Sequence, residues 1–262
     1  FIIDPKTFTY RAFKENTLFN EAGIFFIHGN DQTIYCSSLQ GSMVIELAPA
    51  NRDIHNDYHY TNYDNINTGT NYIYTIFKDS HHRIWFATDG MGLTMLENGR
   101  FSYFNKKEQI KDDRIYSITE DLKGTIWFST ASAGIYSFNG KTFTNYSVKD
   151  GLSDLNISVL KADRSGNIII VHKRGLDVLD PETGNIYYLT ASQGITSINA
   201  EDIGSVTTDT SGNIMVSTVA GILTYTHPEN SLQKPTALIE SVQLFLKDLD
   251  DHAPAVFRHD EN

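Results

Sequence analysis

The sequence predicts an all-β protein, a β-propeller of four-stranded antiparallel blades, on three observations. A turn opening on aspartate recurs at Asp79, Asp121, Asp163 and Asp209, spaced 42, 42 and 46 residues apart. A second turn, closed by glycine, recurs independently at Gly92, Gly134, Gly175 and Gly221, spaced 42, 41 and 46. Between the turns lie short period-two runs rich in aromatic and β-branched residues, and no window longer than about ten residues has helical periodicity. Self-similarity at this period marks one small sheet per repeat. A sheet of that size cannot bury both faces alone and must stack on its copies.

The chain can be taken in order. Residues 2–13 match Val178 to Leu189 in an Asp-Pro-x-Thr turn, so they read as the last two strands of a blade. Five blades follow, at residues 21–70, 71–112, 113–154, 155–199 and 200–230. The first is degenerate, with Ile34-Tyr35 matching Ile84-Trp85. The count is read as part of a seven-bladed propeller within a longer protein. Residues 113–146 show the plan best. Arg114 to Thr119 alternates, Asp121 to Gly124 turns, Ile126 to Ser129 is a strand, and Asn139-Gly140 parts the last two strands with the strongest short hairpin signal. After Tyr225 a polar linker with Pro228 and Pro235 leads to residues 231–262, which open a different β-domain with a strand from Ala237 to Leu246.

The repeated columns have mechanical meanings. Ile73, Ile115, Ile157 and Ile203 belong to first strands that line the central channel. Tyr35, Trp85, Trp127, Ile169 and Met215 share one column of bulky residues, so both tryptophans are expected in the core. In the first turn Asp79, Asp121, Asp163 and Asp209 accept backbone N–H groups, while Gly124, Gly166 and Gly212 supply positive φ. His82 and Gln32 stand where glycine is expected, which predicts a different turn in those two blades.

Composition excludes several classes. The 40% apolar and 20% charged content of 262 residues is that of a soluble globular chain. A net charge of −11 and the lack of a basic tract argue against nucleic acid as a partner. The longest purely apolar run, Ile168 to Val171, is far too short for a bilayer, and no signal peptide opens the sequence, so either the protein is cytosolic or its targeting and membrane segments are expected outside it. Cys36 is single. No phosphate-binding loop, zinc motif or nucleophile elbow is present. No cofactor, metal or catalytic residue is expected. The pair His81-His82 reads as a solvated hairpin turn.

A ligand site is expected on the rim shared by the glycine-closed turns and the connections between blades. The column before the second turn reads Ser38, Thr88, Thr130, His172 and Thr218. His172-Lys173-Arg174 is its most distinctive departure, a trio suited to carboxylate, sulfate or sugar hydroxyls. Asp89, Ser132, Asn71, Arg114 and Asn156 are expected on the same rim.

The run Ile115-x-x-Ile118-x-x-Asp121-x-x-Gly124-x-Ile126-Trp127-Phe128-x-Thr130, with Gly134, Phe143 to Tyr146 and Asp150-Gly-Leu-Ser153, resembles the two-component regulator propeller repeat. Lys234 to Leu244 resembles the first strand of the triple-tyrosine immunoglobulin-like domain that follows such propellers. The resemblance covers about residues 21 to 246, with Trp kept only at Trp85 and Trp127. It implies the periplasmic sensor region of a hybrid two-component histidine kinase: non-enzymatic itself, recognising an oligosaccharide or other small ligand, working as a homodimer, and signalling through the C-terminal β-domain. Two alternatives stand beside it. One is a propeller lyase of the streptogramin-degrading type, which needs a metal and a histidine base at the channel mouth, and the other is a protein-interaction scaffold.

Overall fold

The computed structural model describes side chains at residues 72–106, 110–172, 174–189, 206–209, 211–217 and 221–226, and elsewhere the backbone of isolated strands. The chain divides into two compact units, residues 1–227 and 228–262. In the second unit, Gln243–Leu244 pairs antiparallel with Lys247–Asp248. The rest of the expected strand from Ala237 to Leu246 lies outside the described residues.

The first unit is a series of antiparallel sheets whose strands pair in chain order. Ile2–Ile3 pairs with Tyr10–Arg11. Sheet I comprises Ile24–Gly29, Thr33–Ser38, Gly41–Leu47 and Tyr58–Tyr63. Sheet II comprises Ile73–Lys78, Ile84–Thr88, Leu93–Glu97 and Arg100–Phe104. Sheet III comprises Ile115–Glu120, Ile126–Thr130, Ile135–Phe138 and Phe143–Tyr146. Sheet IV comprises Ile157–Ala162, Ile168–His172, Gly175–Leu179 and Ile186–Leu189. Sheet V contributes Ser205–Thr208, Ile214–Thr218 and Gly221–Tyr225. This is the predicted all-β architecture, with one sheet per repeat.

Neighbouring sheets share their cores. Trp85, Ala87 and Leu93 of sheet II pack with Ile115, Ile118, Phe128, Tyr136 and Phe138 of sheet III. Trp127 and Ile135 of sheet III pack with Ile157, Leu160, Ile168 and Ile170 of sheet IV. First strands are stitched by side-chain hydroxyls: Thr75 Oγ1 donates to the Tyr116 carbonyl at 2.8 Å, and Ser117 Oγ accepts from the Leu160 amide at 3.0 Å.

The aspartate turn follows one plan in four sheets. Asp121 Oδ1 accepts the amides of Lys123 and Thr125, both at 2.9 Å, and Oδ2 accepts the Trp127 indole N–H at 2.8 Å. Asp79 repeats this with His81, Arg83 and Trp85. In sheets IV and V the tryptophan is Ile169 or Met215, and an asparagine four residues after the aspartate supplies the missing donor. Asn167 Nδ2 reaches Asp163 Oδ2 at 3.2 Å, and Asn213 Nδ2 reaches Asp209 Oδ2 at 2.9 Å. Both tryptophans are therefore in the core, as expected, but each also ties the core to the turn.

His82 departs from expectation. It adopts φ 64° in the same turn, with the same bond from the Asp79 amide to the Arg83 carbonyl. The aspartate's hydrogen bonds hold the turn whether or not residue four is glycine, and the non-glycine residue bears the left-handed strain. Replacing His82 with Gly is expected to raise stability by about 0.5–1 kcal/mol, read as a higher urea midpoint. An unchanged or lower midpoint would show that the turn carries no such strain. The turn containing Gln32 lies outside the described residues.

Candidate functional site

The first strands of sheets II, III and IV carry a register irregularity near their start, between Ile73 and Thr75, Ile115 and Ile118, and Ile157 and Val159, whereas that of sheet V pairs without one. A bulge re-aims the side chain at the extra residue. The residues placed there in sheets II and III are Tyr74 and Tyr116, whose rings meet edge to face with centroids 4.8 Å apart. Tyr74 is hydrogen-bonded to Asp89, and burial together with the Asp89 charge pushes its hydroxyl above the usual phenol range.

Asp89 and Arg114 form a backbone bridge between sheets II and III. Around it, the amides of Gly90 and Gly92 donate to the Asp113 carbonyl at 3.1 and 2.8 Å. The Arg114 side chain, half exposed, lies 3.3 Å from the Asp112 carboxylate through both Nε and Nη2. Ser132 Oγ donates to the same carboxylate, on Oδ2. Asp112 itself is only 4% exposed. Burial pushes its carboxyl up, but the hydrogen bonds from Ser132 and Arg114 outweigh that and hold it below the usual carboxylate range. The Asp112 hydrogen bond in turn raises the Arg114 guanidinium, which stays charged.

Three of the rim residues expected from sequence, Asp89, Arg114 and Ser132, are thus brought to one place. Asp112, Tyr74 and Tyr116 complete the cluster and were not singled out. A signal for Asp112 existed: Asp154 stands 42 residues later, one repeat on, and its Oδ1 accepts the Asn156 amide as Asp112 Oδ1 accepts that of Arg114. Asn156, exposed, opens sheet IV. Asn71 and Lys173 lie outside the described residues.

His172 is placed differently from the expectation of an open rim position. It is fully buried. Thr88 and Thr130 show why: their hydroxyls donate to the carbonyls of Gly92 and Gly134 and accept the amides of Met91 and Ala133, so this column points inward and closes the second turn. His172 keeps that role, its Nδ1 accepting the Arg174 amide at 3.2 Å. The proton therefore sits on Nε2, which lies 3.3 Å from Asp177 Oδ2 but off the line of a hydrogen bond. Asp177 accepts both the amide and the hydroxyl of Ser153, at 2.8 and 2.7 Å. Tyr136, in the same column of sheet III, holds the Lys111 amide with its hydroxyl at 3.0 Å, so this column pins the preceding connection between sheets. Arg174 is exposed, with one guanidinium N–H donated to the Ser153 carbonyl.

At the opposite end of the sheets, Asp79, His81 and Glu120 have ligand atoms within 4.8 Å of one another. Both Asp79 oxygens are each engaged by two N–H donors, Arg83 among them, and Glu120 holds the Ser80 amide and hydroxyl at 2.7 and 2.6 Å. The cluster is a latch between two turns.

Residues 69–90, spanning the first two strands of sheet II, match the family described as two component regulator propeller. That stretch is thus a two component regulator propeller repeat, as the resemblance implied. No curated protein matches the sequence.

Among solved structures, the chain is similar to one described as the extracellular domain of a hybrid two component system from B. thetaiotaomicron. The two share 20% identity and a TM-score of 0.67 over 87% of this chain and 32% of the other. It is also similar to the extracellular domain of a one component system from the same organism, with 22% identity and a TM-score of 0.61 over 78% and 29%. A catalytically inactive virginiamycin B lyase from Staphylococcus aureus, in complex with quinupristin, shares 16% identity and a TM-score of 0.56 over 82% and 74%. The chain spans about a third of the length of the two sensor structures. The shared property is the propeller fold. Among the described residues, no helix is long and apolar enough to cross a membrane.

Proposed function

We propose that this chain is a ligand-recognising part of the extracytoplasmic, periplasmic region of a hybrid two component sensor, and that the rim cluster on sheets II and III binds an oligosaccharide. The observation that carries the reading is the pairing of Tyr74 and Tyr116 beside Arg114 and Asp89. Aromatic rings offer an apolar surface to the C–H face of a sugar, while a guanidinium and a carboxylate fixed a short distance apart satisfy its hydroxyls. Arg114 is oriented before any ligand arrives, because Asp112 holds it and Ser132 holds Asp112, so little side-chain freedom is lost on binding. In the full-length sensor a homodimer would pass the bound state through the C-terminal β-domain. The burial of His172 weighs against the lyase alternative, since that ring cannot reach a substrate at the channel mouth.

The test is calorimetric titration of the soluble region with a broad oligosaccharide panel. At least one member is expected to bind saturably, and Arg114→Ala is expected to weaken it by about tenfold or more, the worth of one charge-assisted hydrogen bond. Binding that ignores both Arg114→Ala and Tyr116→Ala would move the site elsewhere. A panel with no binder would favour the scaffold reading.

A further inference from the structure

A second cleft lies between sheets II and III at the aspartate-turn end, the opposite end from the rim cluster. Its volume is about 330 Å³, and its walls include Arg83, Glu97, Phe104, Phe138, Lys141 and Phe143. The three phenylalanines form one apolar floor, with Phe138 and Phe143 stacked at 4.4 Å and Phe104 at 5.2 and 5.4 Å from them. Arg83 is fixed from behind: its Nε donates to Asp79 Oδ2 at 2.6 Å, and its guanidinium carbon sits 5.2 Å over the Trp85 ring. Lys141 stands at the exposed tip of the Asn139-Gly140 hairpin. At Gly140 a side chain would meet nothing within 4 Å, which leaves that wall open to solvent.

The same junction one repeat on has different chemistry. Thr125 takes the place of Arg83, Leu179 and Ile186 take the places of Phe138 and Phe143, and Lys123 is already paired with Glu182. The framework of the repeat therefore does not require the arginine, the lysine or the aromatic floor.

We propose that this cleft is a binding site for a small organic anion, a flat apolar body bearing one carboxylate. The ring would lie on Phe138 and Phe143, and the carboxylate would take the remaining guanidinium N–H groups of Arg83 and the Lys141 ammonium. Glu97 on the facing wall sets the limit at a single negative charge, because a second would face a carboxylate. A volume near the lower end of the range for ligand pockets suits a single ring with a short acid side chain. The site stands apart from the rim cluster and does not rest on the sugar-binding reading.

The experiment uses the 262-residue chain labelled at its methionine methyl groups, with phenylacetate as the probe. Met95 lines the cleft, whereas Met91 lies at the other end of sheet II and serves as an internal reference. Phenylacetate is expected to shift the Met95 signal saturably and leave Met91 in place. Benzyl alcohol, the same ring without the charge, is expected to bind about tenfold more weakly. Lys141→Glu, at an exposed hairpin tip, and Phe143→Leu, a milder change of the floor, are each expected to weaken phenylacetate several-fold, with the remaining methyl spectrum unchanged. No shift of Met95, equal binding of the acid and the alcohol, or full binding by both variants would overturn the proposal.

Discussion

Replacing Gly134 with Ala is expected to destabilise the protein by roughly 4 kcal/mol, the range reserved for strained backbone and overpacking combined. Gly134 has φ 80°, and a Cβ there would stand 2.2 Å from the Tyr146 carbonyl oxygen and 3.2 Å from Leu152 Cδ1. The oxygen belongs to the paired last strand and cannot move without breaking the sheet, where Tyr146 faces Ile135. Gly140 is the internal control. It has φ 91° but nothing within 4 Å of a Cβ, so Ala there bears only the conformational cost of about 1 kcal/mol. Urea denaturation of the two variants separates the contributions. Equal losses would mean that the close approach to Tyr146 has no energetic weight.

Asp121→Ala is expected to cost about 3–5 kcal/mol, because it strands three donors at once, one of them the N–H of a buried indole. The carboxylate is 8% exposed, so water replaces it poorly. Trp127→Phe should cost less, since it removes one donor and leaves both backbone contacts of Oδ1 intact. The decisive measurement is the double variant. If the indole bond is real, the two losses are less than additive by about 1 kcal/mol or more; strict additivity would mean that Trp127 serves the core alone.

Much of this architecture was legible because turn chemistry is local. Asp at the start of the first turn and Gly at the end of the second each do work that few other residues can do, so they mark the repeat even where the tryptophan is lost. The site was less legible. Asp89, Arg114 and Ser132 follow from knowing which end of the strands the second turns occupy. Tyr74 and Tyr116 do not, because a bulge decides where they point, and a period-two pattern assumes that no bulge is present. His172 misled for a related reason. Its column is occupied by small hydroxyls, which look like surface residues, yet Thr88 and Thr130 are buried turn closures and the histidine inherits their direction. His82 shows the converse: glycine is the residue a left-handed position favours, but a turn held by four hydrogen bonds to Asp79 tolerates another.

The exchange of tryptophan for asparagine beneath the aspartate turn also constrains how such repeats can diverge. A lineage that loses the indole first passes through a chain with an unanswered carboxylate oxygen, which at the buried Asp163 of sheet IV costs about 1–3 kcal/mol. A lineage that gains the asparagine first only crowds one oxygen with two donors, which costs far less. Sheet IV is therefore reached more easily through an asparagine ancestor than through an aliphatic one. What descends unchanged along the repeats is an N–H presented to one oxygen, and the side chain that carries it is replaceable.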